Sequence, residues 1–297
     1  MMGFVSPIIF ERLTRVTPLG IRFWDVTQRM VASAASLEGL RVIAYETTNP
    51  SRRLTMFPNR SGIFTLQGVP GMRDVEFGAG DAEFWNHLPV TVPRPFVIEV
   101  TDPRGRYLPF QFQADVPTKG VVAWDFGSPA ETGGNVPLYS APARIVQPEM
   151  AVLRADLHDS AADVPAAWAV LEAYLNGTRL ARGIADVRGV VTLIFPYPEP
   201  FDSDPGSPLV FGVPLMEQSW ALTLRAFYSP QTLVPSIPNL TTILGQPEAN
   251  IWRVWGGSPL VQQPFVNVTL NNGRDASAHS FNPVNDAPLS HLFITPV

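Results

Sequence analysis

The chain has 297 residues, 45% of them hydrophobic, enough for two domains of ordinary size with real cores and unlike a disordered chain. Its net charge of −5 includes no basic run, which argues against a surface that tracks nucleic-acid phosphates. The absence of cysteine excludes disulfides, zinc thiolate sites and thiol catalysis.

Two compositional deviations carry information. Proline, at 31 residues, is about twice the usual ~5%. It fixes φ and removes a donor, so its spread along the chain favours many short strands with proline at edges and turns. Charged residues stand at 16%, against a usual share of about 25%. Low charge fits the centres of protein interfaces. A GC-rich genome explains the arginine bias equally well, Lys119 being the only lysine.

From the N-terminus, Met1 to Pro7 lacks a basic segment before an apolar stretch, which predicts no secretory signal. No apolar run approaches the ~18 residues of a membrane helix, so the expected location is the cytoplasm, free or in an assembly, without membrane insertion. Short helical turns are expected only at places such as Met30 to Leu37.

The chain then repeats itself. A strand-like run (Leu40 to Tyr45) leads through a basic stretch (Arg52, Arg53) to a turn glycine, Gly62, and a second run, Ile63 to Leu66. The same order recurs with Trp168 to Tyr174, Arg179 and Arg182, Gly189, and Val190 to Phe195. Ser61-Gly62 and Arg188-Gly189 each supply a residue that tolerates positive φ, as a tight turn requires. Each unit is followed by a further strand, Phe96 to Val100 and Trp220 to Leu224. Asp102-Pro-Arg-Gly105 closes the first of these, and Tyr107 to Phe112 is read as its return strand. Period-two alternation places Phe64, Leu66, Ile98, Val100, Val191, Leu193, Leu222 and Leu224 in cores. Further strands are expected at Ile251 to Trp255, Phe265 to Leu270 and Leu292 to Thr295, with a turn at Asn271-Asn-Gly273.

Gly127 to Asn135 has no periodicity and reads as a linker. The division is therefore domain one at 1–126, a linker at 127–142, and domain two at 143–297 with a C-terminal extension. The expected fold is all-β: two tandem β-sandwiches, with Leu40 and Trp168 at equivalent positions.

The units Leu40 to Tyr45 with Asn59 to Phe64, and Trp168 to Tyr174 with Ala185 to Val190, resemble the prealbumin-like sandwich of carboxypeptidase regulatory-like domains. A longer resemblance rests on Pro18-Leu-Gly-Ile-Arg-Phe-Trp-Asp25, Val100 to Pro109, Ala167-Trp-Ala-Val170 and Ile194-Phe-Pro-Tyr-Pro-Glu-Pro200. These stretches are similar to a family encoded with contractile injection systems, the phage-tail-like particles of sheath, tube, baseplate and cap. That resemblance implies a structural subunit of such a particle, at the cap or the baseplate and partnered by other particle proteins, and it transfers no functional residues. Two cores, little charge and sheet edges that must be covered add the expectation of multi-copy incorporation in a symmetric assembly.

Candidate chemistry is sparse. The histidines His87, His158, His279 and His291 form no HxxE, HExxH or HxH pattern, and no Gly-x-Ser-x-Gly, Walker loop or Gly-x-Gly-x-x-Gly occurs. Asp156 and His158 would share one face of a strand with Asp159 on the other, an acid–base or metal pair or a surface feature. Asp202-Ser-Asp204 begins like a calcium loop but is broken by Pro205. Phe23, Trp24, Phe84, Trp85, Trp220, Trp252 and Trp255 would fill cores or line a glycan groove. Trp252 and Trp255, three apart, should fall on opposite faces of a strand. The expectation is a chain with no catalytic, metal or cofactor residues, and so not an enzyme. A soluble carbohydrate- or peptide-binding module is the alternative, and a hydrolase with an unrecognised site stands behind both.

Overall fold

The structure, a computed structural model, describes residues 16–77, 92–118, 120–126, 132–199, 217–230 and 236–297. Strand makes up 49% of it and helix 6%, so the fold is all-β. The first half contributes nine strands: β1 (Leu19–Ile21), β2 (Phe23–Asp25), β3 (Met30–Val31), β4 (Arg41–Glu46), β5 (Asn49–Pro58), β6 (Phe64–Leu66), β7 (Arg94–Thr101), β8 (Phe110–Val116) and β9 (Val136–Leu138). Six form a sheet in the order β1-β6-β5-β4-β7-β8, and β3-β2-β9 form a second sheet. The two meet where the Phe23 ring sets its edge to Phe64, centroids 5.4 Å apart. Alternation does the sorting: Phe96, Ile98 and Val100 on β7 and Phe110, Phe112 and Ala114 on β8 point inward.

The second half holds β10 (Met150–Asp159), β11 (Val164–Pro165), β12 (Val170–Leu175), β13 (Thr178–Ile184), β14 (Val190–Pro196), β15 (Ser219–Phe227), β16 (Glu248–Gly256), β17 (Val261–Pro264), β18 (Val268–Asn271), β19 (Ala276–Ala278) and β20 (Leu292–Pro296). β10 divides between two neighbours, pairing β19 at Leu153 to Ala155 and β20 at Leu157 to Asp159. β15 divides likewise, between β18 and β16. The sheet thus wraps around a core of Leu153, Leu193, Phe195, Leu222, Leu270 and Leu292, all buried. All eight core positions read from the sequence are buried as well. Leu222→Ala should lower stability by about 2–4 kcal/mol, measured by urea unfolding; an unchanged midpoint would contradict its inward assignment.

The repeat is visible in the ladders. β1 pairs β6, β4 pairs β5 and β4 pairs β7, all antiparallel; β10 with β14, β12 with β13 and β12 with β15 do the same. It extends to single hydrogen bonds. In the first copy, Asn59 Oδ1 accepts from the backbone N–H groups of Ser61 and Ile63, and Gly62 N–H donates to the Asn59 carbonyl. In the second, Asp186 Oδ1 accepts from Arg188 and Val190, and Gly189 donates to Asp186. The glycines have φ of +72° and +83°. Asp102 to Arg106 closes the β7–β8 connection with the same kind of turn. One physical device, a short acceptor side chain folded over the backbone donors two and four residues on, is used three times.

Several expectations need correction. Of Met30 to Leu37, only α1 (Ala34–Leu37) is helical, capped by Ser33, while Met30 and Val31 pair with β2. Two other short helices are α2 (Arg73–Phe77) and α3 (Leu240–Leu244). The return strand begins at Phe110; Tyr107 makes a lone bridge to Ser140. Within the stretch read as a linker, residues 132–142 belong to the first core: β9 lies parallel to β2, and Val136, Leu138 and Tyr139 are buried. Trp168 sits in a turn at φ +64°, ahead of β12, and packs in the core of the first half, as does Leu40.

Most strands of the C-terminal stretch, β17 aside, build the interior sheet. Leu270, Ala276, Ala278, Leu292 and Ile294 are buried in the second core, so removing residues beyond 256 would strip that core and not only surface contacts. The proline-rich segment around Pro230 to Pro247 likewise serves the chain itself. Its described part places Leu240 and Ile243 of α3 against the first half, and Gln111 N–H donates to the Pro238 carbonyl. Trp168, Val170 and Ile184 join this same continuous core, so the two halves are packed together.

Candidate functional site

Packing the halves together leaves a cleft of about 320 Å³ between β2, β9, β13 and the C-terminal end of α3. Trp24 and Val26 come from β2 and its turn, Pro137 from β9, Leu244 from α3, and Arg179 to Arg182 from β13. Trp124 and Thr132 complete one wall. The Trp124 ring meets Phe112 edge-on, centroids 5.5 Å apart, and its backbone N–H donates to the Gly134 carbonyl at 2.7 Å. Trp124 Nε1 and Thr132 Oγ1 are buried without a hydrogen-bond partner. Arg29, in a turn at φ +52°, reaches across the cleft and donates to the Leu180 carbonyl.

Behind the arginines of β13 lies a buried carboxylate. Glu172 accepts from Arg179 at 2.7 Å and from Arg182 at 2.5 Å, with the Tyr174 hydroxyl also donating to it. Burial pushes its carboxyl up, but Tyr174 and the two guanidiniums outweigh that and hold it below the usual carboxylate range. The basic stretch of the second repeat is therefore spent on an internal ion pair. Arg53 of the first repeat pairs with Glu99 and lies over the Tyr45 ring.

A second buried carboxylate, Asp25, is fully inaccessible. Arg144 grips it with two hydrogen bonds, 2.8 Å to Oδ2 and 3.2 Å to Oδ1. Thr27 Oγ1 donates at 2.7 Å and the Tyr107 hydroxyl at 2.9 Å. Burial and the neighbouring Asp25 charge push the Tyr107 phenol up to about 12. With every acceptor engaged, this is a structural tie and not a poised acid.

The Asp156–His158 pair is organised differently from its sequence reading. As expected, β10 alternates, leaving Asp156 and His158 on one face and Asp159 on the other, where it is fully buried and accepts from Ala161 and Ala162. The partners, however, are Asp163 for His158, at 3.0 Å, and His291 for Asp156, at 3.2 Å. The two imidazoles stack with centroids 4.9 Å apart and Phe293 beside them. His291 stands just ahead of β20, 133 positions from His158, and is brought there by the register Leu157↔Leu292. No local signal marks that pairing. Among the described residues no three His, Asp or Glu side chains gather as metal ligands. His87, Phe84, Trp85 and the Asp202-Ser-Asp204 stretch lie outside the described residues.

The aromatics divide. Phe23 and Trp220 are core, and Trp24 lines the cleft. Trp252 and Trp255 are not on opposite faces: their rings lie 6.0 Å apart, and Trp255 stacks on Phe293. The cause is a register shift between Trp252 and Val254, since one extra residue in a strand reverses the parity of those after it.

No protein-family model matches the chain, and no curated protein sequence matches it. Among solved structures, the shaft pilin SpaA of Lactobacillus rhamnosus GG aligns over 94% of this chain and 97% of that one, at 11% identity and a TM-score of 0.21. The C-terminal fragment of the pilus adhesin SpaC of the same organism aligns over 94% and 98%, at 9% identity and a TM-score of 0.19. Among the described residues, no helix is long and apolar enough to cross a membrane.

Proposed function

We propose that this chain is a non-enzymatic structural subunit of a contractile injection system, assembled in the cytoplasm in several copies at the cap or the baseplate. The observation that supports this most is the arm formed by β16 and β17. β17 is exposed along its whole length and pairs only with β16 among the described residues, so its outer edge is open. Leu260, Val261 and Val266 stand exposed on and beside it, and Val261 to Pro264 contains no charge. Edge strands of free proteins are usually blunted by charge, proline or cover. β17 carries no charge and is blunted only by Pro264 at its end, so the edge ahead of that proline is open to a strand from a neighbouring subunit. The buried carboxylates Asp25 and Glu172 fit the same reading, because their partners tie the fold together.

The test is a double variant, Leu260→Lys with Val261→Lys. Both side chains are exposed, so the melting temperature should stay close to that of the parent, with a change within about 0.5 kcal/mol. Incorporation into particles, followed by co-sedimentation, should be lost. Normal incorporation of a folded double variant would remove the arm from the interface.

A further inference from the structure

We infer that the cleft between β2, β9 and β13 is a binding site for an organic carboxylate carried on an apolar, ring-sized body. Its volume of about 320 Å³ falls at the lower end of pockets that hold small ligands. The polar groups that face such a ligand are nearly all donors. Arginine and the tryptophan Nε1–H can only donate, and the hydroxyls of Thr132 and Tyr139 can do either. No carboxylate or amide side chain is present among the described lining residues. A sugar, which needs acceptors for its hydroxyl hydrogens, is therefore poorly matched, and an acceptor-rich anion is well matched.

Two buried polar atoms of the cleft wall have no partner. Trp124 is 5% exposed and Thr132 8% exposed, and neither Nε1 nor Oγ1 has a partner. Buried polar atoms of that kind are uncommon in folded proteins and call for a group that satisfies them. Arg29 donates to the Leu180 carbonyl from the other side of the cleft. Glu172 holds Arg179 and Arg182 from behind, which orders their guanidiniums and neutralises one charge of the three. Of the remaining lining, Trp24, Val26, Phe126, Pro137 and Leu244 are apolar and would face the body of the ligand, with Tyr139 beside them. The inference does not depend on assembly into a particle.

The probe is 3-phenylpropionate, titrated into the intact ¹⁵N-labelled protein while the indole N–H signals are followed, with Trp124→Phe identifying that of Trp124. The expected result is a saturable shift of the Trp124 signal, with 3-phenylpropan-1-ol and 3-phenylpropylamine each weaker by at least about tenfold. Thr132→Val should weaken the acid by about fivefold without lowering the melting temperature, because the hydroxyl has no protein partner to lose. Arg29→Gln, a change at an exposed side chain, should weaken it comparably and serves if Thr132→Val misfolds. Acetyl-Gly-Gly-Phe as the free acid and as the amide separates the sources. Competition by the acid alone points to a peptide terminus, and competition by neither points to a small free carboxylate. An acid that binds no tighter than the alcohol, a Trp124 signal that does not move, or two folded variants with unchanged affinity would overturn the inference.

Discussion

Arg144→Met is expected to destabilise the protein by about 3–5 kcal/mol at neutral pH, the usual cost of stranding a buried charge by removing its partner. Asp25 is fully buried, and Arg144 supplies two of its hydrogen bonds across 119 positions of sequence. Thr27 and Tyr107 would remain, but neither carries a positive charge. The loss should be pH-dependent, with a defined sign. Burial pushes the Asp25 carboxyl up, yet the hydrogen bonds and charge of Arg144, with Thr27 and Tyr107, bring it below its ordinary value. A carboxylate depressed in the folded state stabilises at pH values above its unfolded pKa of about 3.9, and that contribution fades as pH falls through the folded value. The gap between parent and variant should therefore be full at pH 7 and narrow in acid below about pH 4. Urea unfolding of both proteins across that range checks it. A gap that is constant with pH, or absent at pH 7, would show that the pair contributes no linked stability.

Gly189→Ala should be nearly as damaging, by about 2–5 kcal/mol, combining a left-handed backbone with an overpacked contact. At φ +83°, an added Cβ would stand 2.3 Å from the Leu157 carbonyl oxygen and 3.3 Å from the Ala166 nitrogen. Those atoms are hydrogen-bonded to each other at 2.9 Å, and Leu157 N–H donates to the Gly189 carbonyl, so backbone would have to move. The equivalent Gly62, at φ +72°, would bring its Cβ only to 3.2 Å of the Leu37 side chain. Gly62→Ala should therefore cost only the backbone term, about 1–2 kcal/mol. Equal melting temperatures for the two variants would mean that the second copy of the turn has no tighter surroundings than the first.

That comparison marks what could be read in the sequence. The turn residues, strand runs and inward positions are encoded locally: Asn59 with Gly62 and Asp186 with Gly189 repeat a spacing, and Trp220, Leu222 and Leu224 alternate visibly. The β4, β6, β7, β12, β14 and β15 strands follow from that pattern to within a residue or two at most of their ends, the largest miss being the three residues by which β15 runs past Leu224. What the sequence hides is non-local. β9 is three residues long and pairs in parallel with a strand more than a hundred positions earlier, so it has neither periodicity nor a hairpin turn to announce it. β20 slips between β10 and β16, which makes an apparent extension part of the core. The shift at Trp252 reverses a parity that counting cannot detect. The cleft is the extreme case, because Trp24, Trp124, Thr132 and Arg179 meet only once both halves have folded and packed. Arg179 and Arg182 were visible as a basic stretch, but their shared acid, Glu172, stands one strand earlier across a hairpin.

The proposed role is that of a component of a contractile injection particle. The most direct measurement is quantitative mass spectrometry of phage-tail-like particles purified from cells that encode it, with the isolated chain sized in parallel. The chain should be present in a fixed ratio to sheath and tube proteins, at several copies per particle. Its absence from intact particles, with the protein recovered only as a free monomer, would contradict the account.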